Sequence, residues 1–154
     1  WRIGYCAAPL AIAKACTKLQ GQYTSGASSI AQKAAEAAYT GSQQCVEDMR
    51  LAFERRRNLV VRLAREIPGL KVNEPNGAFY LFPEVSSYFG KSCGDRKIND
   101  ASDLAMYLLD VGHVATVSGD AFCAPGYIRL SYATSDENIA EAMKRIAEAL
   151  SKLK

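Results

Sequence analysis

The neighbouring residues of two arginines make them candidates for binding a ligand. Arg129 is the stronger candidate. It lies in a predicted strand, residues 127–132, between Ile128 and Leu130. Because side chains alternate across a strand, Ile128 and Leu130 should face an apolar layer and Arg129 the opposite side. A guanidinium on a rigid strand suits bidentate binding of a carboxylate or a phosphate. The same pattern also fits an arginine that pairs with a surface acid.

Arg2 and Phe79 are further candidates for ligand contacts. Arg2 precedes an apolar stretch, residues 3–8, which predicts a short buried strand closed by Pro9. An arginine at the mouth of such a strand suits phosphate binding, and an ordinary flanking charge gives the same pattern. Phe79 follows Gly77, so its ring fits either the lining of a pocket or a core strand after a turn.

Other kinds of site find no support in the sequence. His113 is the only histidine, and it lies at a predicted helix-to-strand turn without a cysteine or an acid in ligand spacing. The sequence contains no Ser-His-Asp set, metal-ligand pattern or glycine-rich phosphate loop. We therefore predict no metal site.

Charge, hydropathy and cysteine content narrow the classes of partner. The 19 basic and 16 acidic residues give a formal net charge of +3, too mild and mixed to indicate nucleic acid. Polar residues interrupt every apolar stretch before the roughly 20 residues that a membrane span needs. An odd number of irregularly spaced cysteines favours reduced thiols and a cytoplasmic location: Cys6, Cys16, Cys45, Cys93 and Cys123.

The first part of the chain is predicted to be mainly helical. Alanine-rich patterns predict helices at about 10–20 and 28–39, and a longer pattern runs from 42 to 67. Its apolar residues fall near one stripe: Met49, Phe53, Val60, Leu63 and Ile67. Pro68 and Gly69 end it. A helix of about 25 residues is roughly 37 Å long, more than one small domain needs, so we expect it to join two domains.

The remainder predicts strands and helices in a repeated order. Strands are expected at 70–72, 78–82, 114–117 and 127–132, helices at 100–112 and from 134 onward, and a surface excursion at 86–99. Asp100, with Asp103 three residues later, is expected to cap the first of these helices, and Thr134-Ser135-Asp136-Glu137 is a capping-box arrangement at the start of the last one. The apolar residues of the last helix recur at helical spacing: Ile139, Met143, Ile146, Leu150 and Leu153. This order predicts an α/β fold with an α+β small domain, in which helices pack on a small sheet. We place the domain boundary between residues 1–50 and 51–154.

Five segments in order give the chain a resemblance to a known family: Trp1–Tyr5, Tyr23–Ser25 with Ala31–Ala35, Asn76–Phe82, Val117–Phe122 and Tyr127–Ala133. They resemble class I aminotransferases, the aspartate aminotransferase type of the fold-type I pyridoxal-phosphate-dependent enzymes. The resemblance implies that residues 1–50 are the tail of the large cofactor-binding domain. It implies that 51–154 form the small C-terminal domain, with the long helix bridging the two.

The resemblance also implies roles for individual residues. Arg2 would bind the phosphate of pyridoxal 5'-phosphate, and Thr24 would lie near the cofactor phosphate of the neighbouring subunit in a homodimer. Arg129 would hold the substrate's α-carboxylate, and Phe79 would line the substrate cavity. The lysine that holds the cofactor covalently would precede Trp1, so the chain is expected to contain no catalytic residue and to be inactive alone. A start at Trp1 rather than methionine likewise indicates a cut inside a longer protein.

The reaction implied is amino transfer between an amino acid and a 2-oxo acid, with aspartate and 2-oxoglutarate as first choice. In one branch of the family, an arginine within the stretch that corresponds to residues 3–49 binds the side-chain carboxylate of the substrate, and this chain has no arginine there. Two interpretations therefore remain open: the chain belongs to another branch, which uses a residue upstream of Trp1, or the substrate is alanine or an aromatic amino acid. The alternative function is a non-catalytic, amino-acid-sensing module of a transcription regulator. The strand at 3–8, separated from its sheet neighbours, is expected to be disordered or to pair with another copy.

Overall fold

The computed structural model describes residues 2–154, and this part of the chain divides into two compact units. The first ends at Asp48 and the second runs from Met49 to Lys154. The division falls inside the long helix α3, Gln44–Arg65. No helix in residues 2–154 has both the length and the apolar character to cross a membrane.

The first unit consists of helices α1, Leu10–Tyr23, and α2, Ser29–Thr40, with the first residues of α3. The strand predicted at 3–8 does not form: residues 2–9 have no regular structure and are all exposed. A strand needs a neighbour for its backbone hydrogen bonds, and no other segment of residues 2–48 is extended into a strand. The prediction of a buried strand there is wrong.

The second unit contains the remaining elements in the order β1, β2, β3, α4, β4, β5 and α5: Tyr80–Leu81, Ser92–Cys93, Arg96–Lys97, Ala101–Gly112, Val117–Ser118, Ile128–Ser131 and Asp136–Ser151. Strand β5 lies between β1 and β4, antiparallel to both. Strands β2 and β3 form a separate hairpin. The predicted fold class, helices packed on a small sheet, is confirmed.

Helices pack on one face of this sheet. Ile128 and Leu130 of β5 are buried, as strand alternation predicted. The apolar stripe expected on the last helix is buried throughout: Ile139, Met143, Ile146, Leu150 and Leu153. On α3, Val60 is buried but Met49 is 59% exposed, so the stripe predicted for that helix holds only over its C-terminal part.

Side chains fix the starts of α4 and α5. The Asp100 carboxylate accepts a hydrogen bond from the Asp103 N–H at 2.8 Å, and the Asp103 carboxylate accepts one from the Asn99 N–H at 2.9 Å. The hydrogen bonds that Asp103 accepts from the N–H and then from the side-chain amide of Asn99 lower the pKa of the Asp103 carboxyl. Ser135 caps α5 by accepting from the Asn138 N–H at 3.2 Å. Both starts agree with the predicted capping residues.

The predicted surface excursion at 86–99 has more structure than expected. It contains a 3₁₀ turn, Ser86–Tyr88, and the β2–β3 hairpin, whose turn includes Gly94 at φ +59°. Ser92 exchanges backbone hydrogen bonds with Lys154 at 2.8 and 3.0 Å, which ties the C-terminal residue to the hairpin. Strands this short carry too little periodicity to be read from sequence.

Candidate active site

Arg129 projects from the sheet face opposite the buried core. Its guanidinium carbon lies 4.4 Å from the centroid of the Tyr80 ring and 4.2 Å from that of Phe122. Within residues 2–154, the guanidinium makes no ion pair and no hydrogen bond. The open alternative, an arginine paired with a surface acid, therefore does not describe Arg129. Its hydrogen-bond donors remain available to a ligand.

The two rings reach Arg129 from opposite sides of β5. Tyr80 belongs to β1 and pairs with Ser131, so its side chain emerges on the same face as Arg129. Phe122 ends the 3₁₀ turn Gly119–Phe122, which follows β4 directly. Val117 of β4 is the register partner of Arg129 on that side. Strand register therefore places the Tyr80 ring, and the turn after β4 places the Phe122 ring.

Phe79 lines a cavity, but Arg129 is not among the residues that enclose it. The cavity has a volume of about 480 Å³. Its walls are formed by α3, the turn before β1 and the residue after β5: Arg50, Phe53, Glu54, Arg57, Asn76, Gly77, Ala78, Phe79 and Tyr132. Phe79 still connects to Arg129 through Tyr80, because the Phe79 and Tyr80 ring centroids are 4.6 Å apart.

Arg2 and Thr24 lie on one groove within the first unit. The groove has a volume of about 700 Å³, and the loop between α1 and α2 forms much of its wall. Thr24 caps the C-terminus of α1, and its hydroxyl accepts a hydrogen bond from the Gln20 amide. Ser25 follows with φ +64°, a conformation that few side chains adopt.

Sequence comparison decides the family. A family model described as aminotransferase class I and II matches residues 1–146. The chain belongs to this family. The predicted resemblance is thereby confirmed, and it extends over nearly the whole sequence.

Relatives in the aminotransferase family support the same assignment. The chain is 47% identical to a bifunctional aspartate aminotransferase and glutamate/aspartate-prephenate aminotransferase of Petunia hybrida, and 44% identical to an aspartate aminotransferase of Streptomyces avermitilis. Both matches cover 100% of this chain but only 33% and 38% of the relatives. The crystal structure of the Rhizobium meliloti aspartate aminotransferase superposes with a TM-score of 0.88 at 39% identity, over 95% of this chain and 37% of that one.

The aminotransferase family uses pyridoxal phosphate, and the groove at Arg2 suits its phosphate group. Among residues 2–154, Arg2 is the only charged residue that lines the groove. The groove includes Ser28, the residue before α2, whose side chain makes no capping hydrogen bond. No acid occupies the first turn of α2, so its N–H groups and positive dipole end meet no opposing charge there.

The sequence did not indicate that Tyr80 and Phe122 contact Arg129. Both lie inside segments that resemble the aminotransferase family, but Phe79 was the one aromatic residue predicted to contact a ligand. Side-chain alternation along β1 could have identified Tyr80, because Tyr80 lies on the same face as Arg129 once β1 is paired with β5. That pairing register is a property of the sheet and not of either strand alone. Within residues 2–154, no cluster of three or more metal-ligating side chains occurs.

Proposed function

We propose that this chain is the C-terminal portion of a pyridoxal-phosphate-dependent aminotransferase, an enzyme that exchanges an amino group between an amino acid and a 2-oxo acid. The observation that carries the proposal is the Arg129 guanidinium, which lies on the central strand between two rings and has no acid partner among residues 2–154. The family membership supplies the reaction class.

Arg129 binds the carboxylate next to the reacting carbon. Amino acids and 2-oxo acids both have this group, so one bidentate clamp serves both directions of the reaction. Held by two hydrogen bonds, the substrate cannot rotate freely, and the bond to be broken keeps a fixed direction relative to the cofactor ring. Such positioning is a large part of the rate enhancement of an enzyme. Phe79 lines the substrate cavity beside Tyr80.

Arg2 and Thr24 are the proposed phosphate contacts, each for a different cofactor molecule of the homodimer. The Arg2 guanidinium pairs with the phosphate charge, and the Thr24 hydroxyl still has its proton to donate, because its hydrogen bond with Gln20 uses the oxygen as acceptor. In the homodimer that the family resemblance implies, Thr24 serves the phosphate of the neighbouring subunit. Bound pyridoxal phosphate supplies the electron-withdrawing ring that makes the α-hydrogen of an amino acid acidic.

Aspartate is the proposed amino donor and 2-oxoglutarate the proposed acceptor. Relatives at 47% and 44% identity are named aspartate aminotransferases. Prephenate is a second candidate acceptor, because the Petunia hybrida relative is also named a prephenate aminotransferase. Measuring both acceptors with aspartate as donor distinguishes the two.

The test uses the full-length protein that contains this chain. Arg129→Lys keeps the charge but removes the planar fork, so we expect kcat/KM for aspartate to fall roughly 100-fold. Arg145→Lys is the matched control, because Arg145 lies on α5 and pairs with Glu141 at 2.7 Å. Equal activity of the Arg129→Lys variant and wild type would show that Arg129 does not bind the substrate carboxylate. A full-length protein that binds an amino acid but never transfers its amino group would support the regulator alternative.

The 154-residue chain by itself is expected not to transaminate, because the family resemblance places the cofactor-holding lysine before Trp1. The measurement is product formation from aspartate and 2-oxoglutarate with excess pyridoxal phosphate, beside the full-length protein. Turnover by the short chain at the full-length rate would contradict this expectation.

A further inference from the structure

Resting on the proposed function, we propose that Tyr80 and Phe122 are positioning residues for the carboxylate clamp. Their rings hold the Arg129 guanidinium in place of an acidic partner, so that the guanidinium is fixed in direction but has its donors unused. Neither ring contributes a hydrogen bond to the substrate, and both act through Arg129.

The distances support an attractive contact with each ring. Cation–π attraction extends to about 6 Å between a guanidinium and a ring centroid, and both separations here are well inside that limit, at 4.4 and 4.2 Å. A ring contact of this kind uses none of the conventional hydrogen bonds that a guanidinium can donate. The N–H donors of Arg129 therefore stay open to a carboxylate.

An acidic partner would position Arg129 less usefully. A carboxylate of the protein would occupy the same donors, so an incoming substrate would have to displace it and leave that carboxylate unpaired. Aromatic rings compete for none of these hydrogen bonds. Rings also have few rotatable bonds, so holding Arg129 between them restricts its side chain before the substrate arrives.

Both rings are themselves supported by the surrounding structure. The Tyr80 ring contacts Phe79, and strand register fixes its backbone opposite Ser131. The Phe122 ring has an edge contact with Phe82 at 6.0 Å. Cys123, directly after Phe122, has φ +55°, which turns the chain away immediately beyond the ring.

The experiment compares variants of the full-length enzyme. Phe122→Leu and Tyr80→Leu remove one ring each and leave Arg129 in place. We expect each variant to lower kcat/KM for aspartate roughly 3- to 30-fold, mainly through a higher KM, because a cation–π contact contributes about 0.5 to 2 kcal/mol. Phe122→Tyr retains a ring face and should keep the wild-type KM. Phe89→Leu is the matched control, because Phe89 packs against the core of the same unit.

A second readout separates positioning from general damage. Titration of pyridoxal phosphate, followed by its absorption, should give the wild-type affinity for both leucine variants, since the proposed cofactor contacts lie elsewhere. An unchanged aspartate KM in Phe122→Leu and Tyr80→Leu, together with a raised KM in Arg129→Lys, would overturn the positioning role and leave the clamp intact. An unchanged KM in Arg129→Lys would overturn the clamp and the positioning role with it.

Discussion

At the scale of single residues, Gly119 imposes the tightest packing constraint near Arg129. A β-carbon at this position would lie 2.2 Å from the Ala124 carbonyl oxygen and 2.7 Å from that of Tyr127. Both are backbone atoms, so neither moves without shifting the loop. The Gly119 N–H also donates to the Tyr127 carbonyl at 2.7 Å, which holds the two ends of the loop together. The position of Phe122 therefore depends on a glycine three residues earlier.

Gly119→Ala should lower the free energy of unfolding by at least about 2 kcal/mol, because overpacking a tight site costs roughly 1 to 3 kcal/mol and this contact is with backbone. Urea unfolding of the 154-residue chain measures it. Gly77→Ala is the control, since a β-carbon there meets no atom within 4 Å. An equal loss in both variants would show that the close approach of backbone atoms at Gly119 does not determine the effect.

Strand alternation was enough to predict which way Arg129 points, because Ile128 and Leu130 reveal the buried face on their own. Its ring partners could not be predicted in the same way. Tyr80 is 49 positions away and Phe122 belongs to a different loop, so their proximity depends on register and turn geometry. The residues that the sequence placed at the cofactor and substrate, Arg2, Thr24, Arg129 and Phe79, remain predictions of role.

At the scale of elements, an ion pair connects α3 to the start of α5. Arg55 donates from Nε to Asp136 at 2.8 Å and from Nη2 at 3.3 Å, and Arg56 Nε lies 3.6 Å from the same carboxylate. The hydrogen bonds from Arg55 lower the pKa of Asp136. Asp136 is also the first residue of α5, where a negative charge interacts favourably with the helix dipole.

The coupling between Arg55 and Asp136 should depend on pH. A lowered carboxyl pKa adds stability that is fully present above the ordinary value of 3.8 and is lost as the pH falls below it. A double-mutant cycle of Arg55→Gln and Asp136→Asn, measured by urea unfolding, should give a favourable coupling at neutral pH and none well below pH 3.8. The same coupling at both pH values would exclude the charge interaction as its source.

Tyr107 joins α4 to α5 through a buried hydrogen bond. Its hydroxyl donates to the Ala149 carbonyl at 2.8 Å, and burial, followed by the Cys93 thiol, raises the pKa of Tyr107 to about 12. Tyr107→Phe should cost about 1 kcal/mol near neutral pH. A raised pKa makes the wild type lose stability as the pH rises from 10.0 towards 12, because the unfolded chain deprotonates first.

The measurement for Tyr107 is the free energy of unfolding across that alkaline range. The stability of Tyr107→Phe should therefore fall less steeply with rising pH than that of wild type. A parallel loss in Tyr107→Phe and wild type would place the alkaline titration on other tyrosines. Burial raises the pKa of Tyr88 and Tyr132 as well, so some loss persists in every variant.

Helices were predictable as elements because their apolar stripes are long. The stripe of α5 was predicted residue by residue, and Asp100 and Ser135 marked two helix starts. Strands of two residues, such as β1 and β4, contain too few positions for a period of two to be visible. The stripe of α3 was wrong at Met49, since helical periodicity shows which residues share a face and not how far the core extends along it.

At the scale of the whole molecule, the two units differ in how many of their apolar side chains are buried. In residues 2–48 only Ala31 is buried, and several large apolar side chains are exposed: Ile3, Tyr5, Leu10, Ile12, Leu19, Tyr23, Ile30, Tyr39 and Val46. The main hydrophobic cluster lies entirely in the second unit. Helices as short as α1 and α2, with 14 and 12 residues, are only marginally stable in water without such burial.

Amide hydrogen exchange of the 154-residue chain should therefore separate the units. We expect amides of α1 and α2 to exchange roughly a thousandfold faster than those of α4 and α5, because local opening of the first unit exposes little apolar surface. Mass spectrometry of peptides from one sample measures all four helices together. Comparing two protein concentrations supplies the control. Protection of α1 that appears only at the higher concentration would show that copies of the chain cover these apolar side chains. Equal protection of all four helices at both concentrations would contradict the prediction.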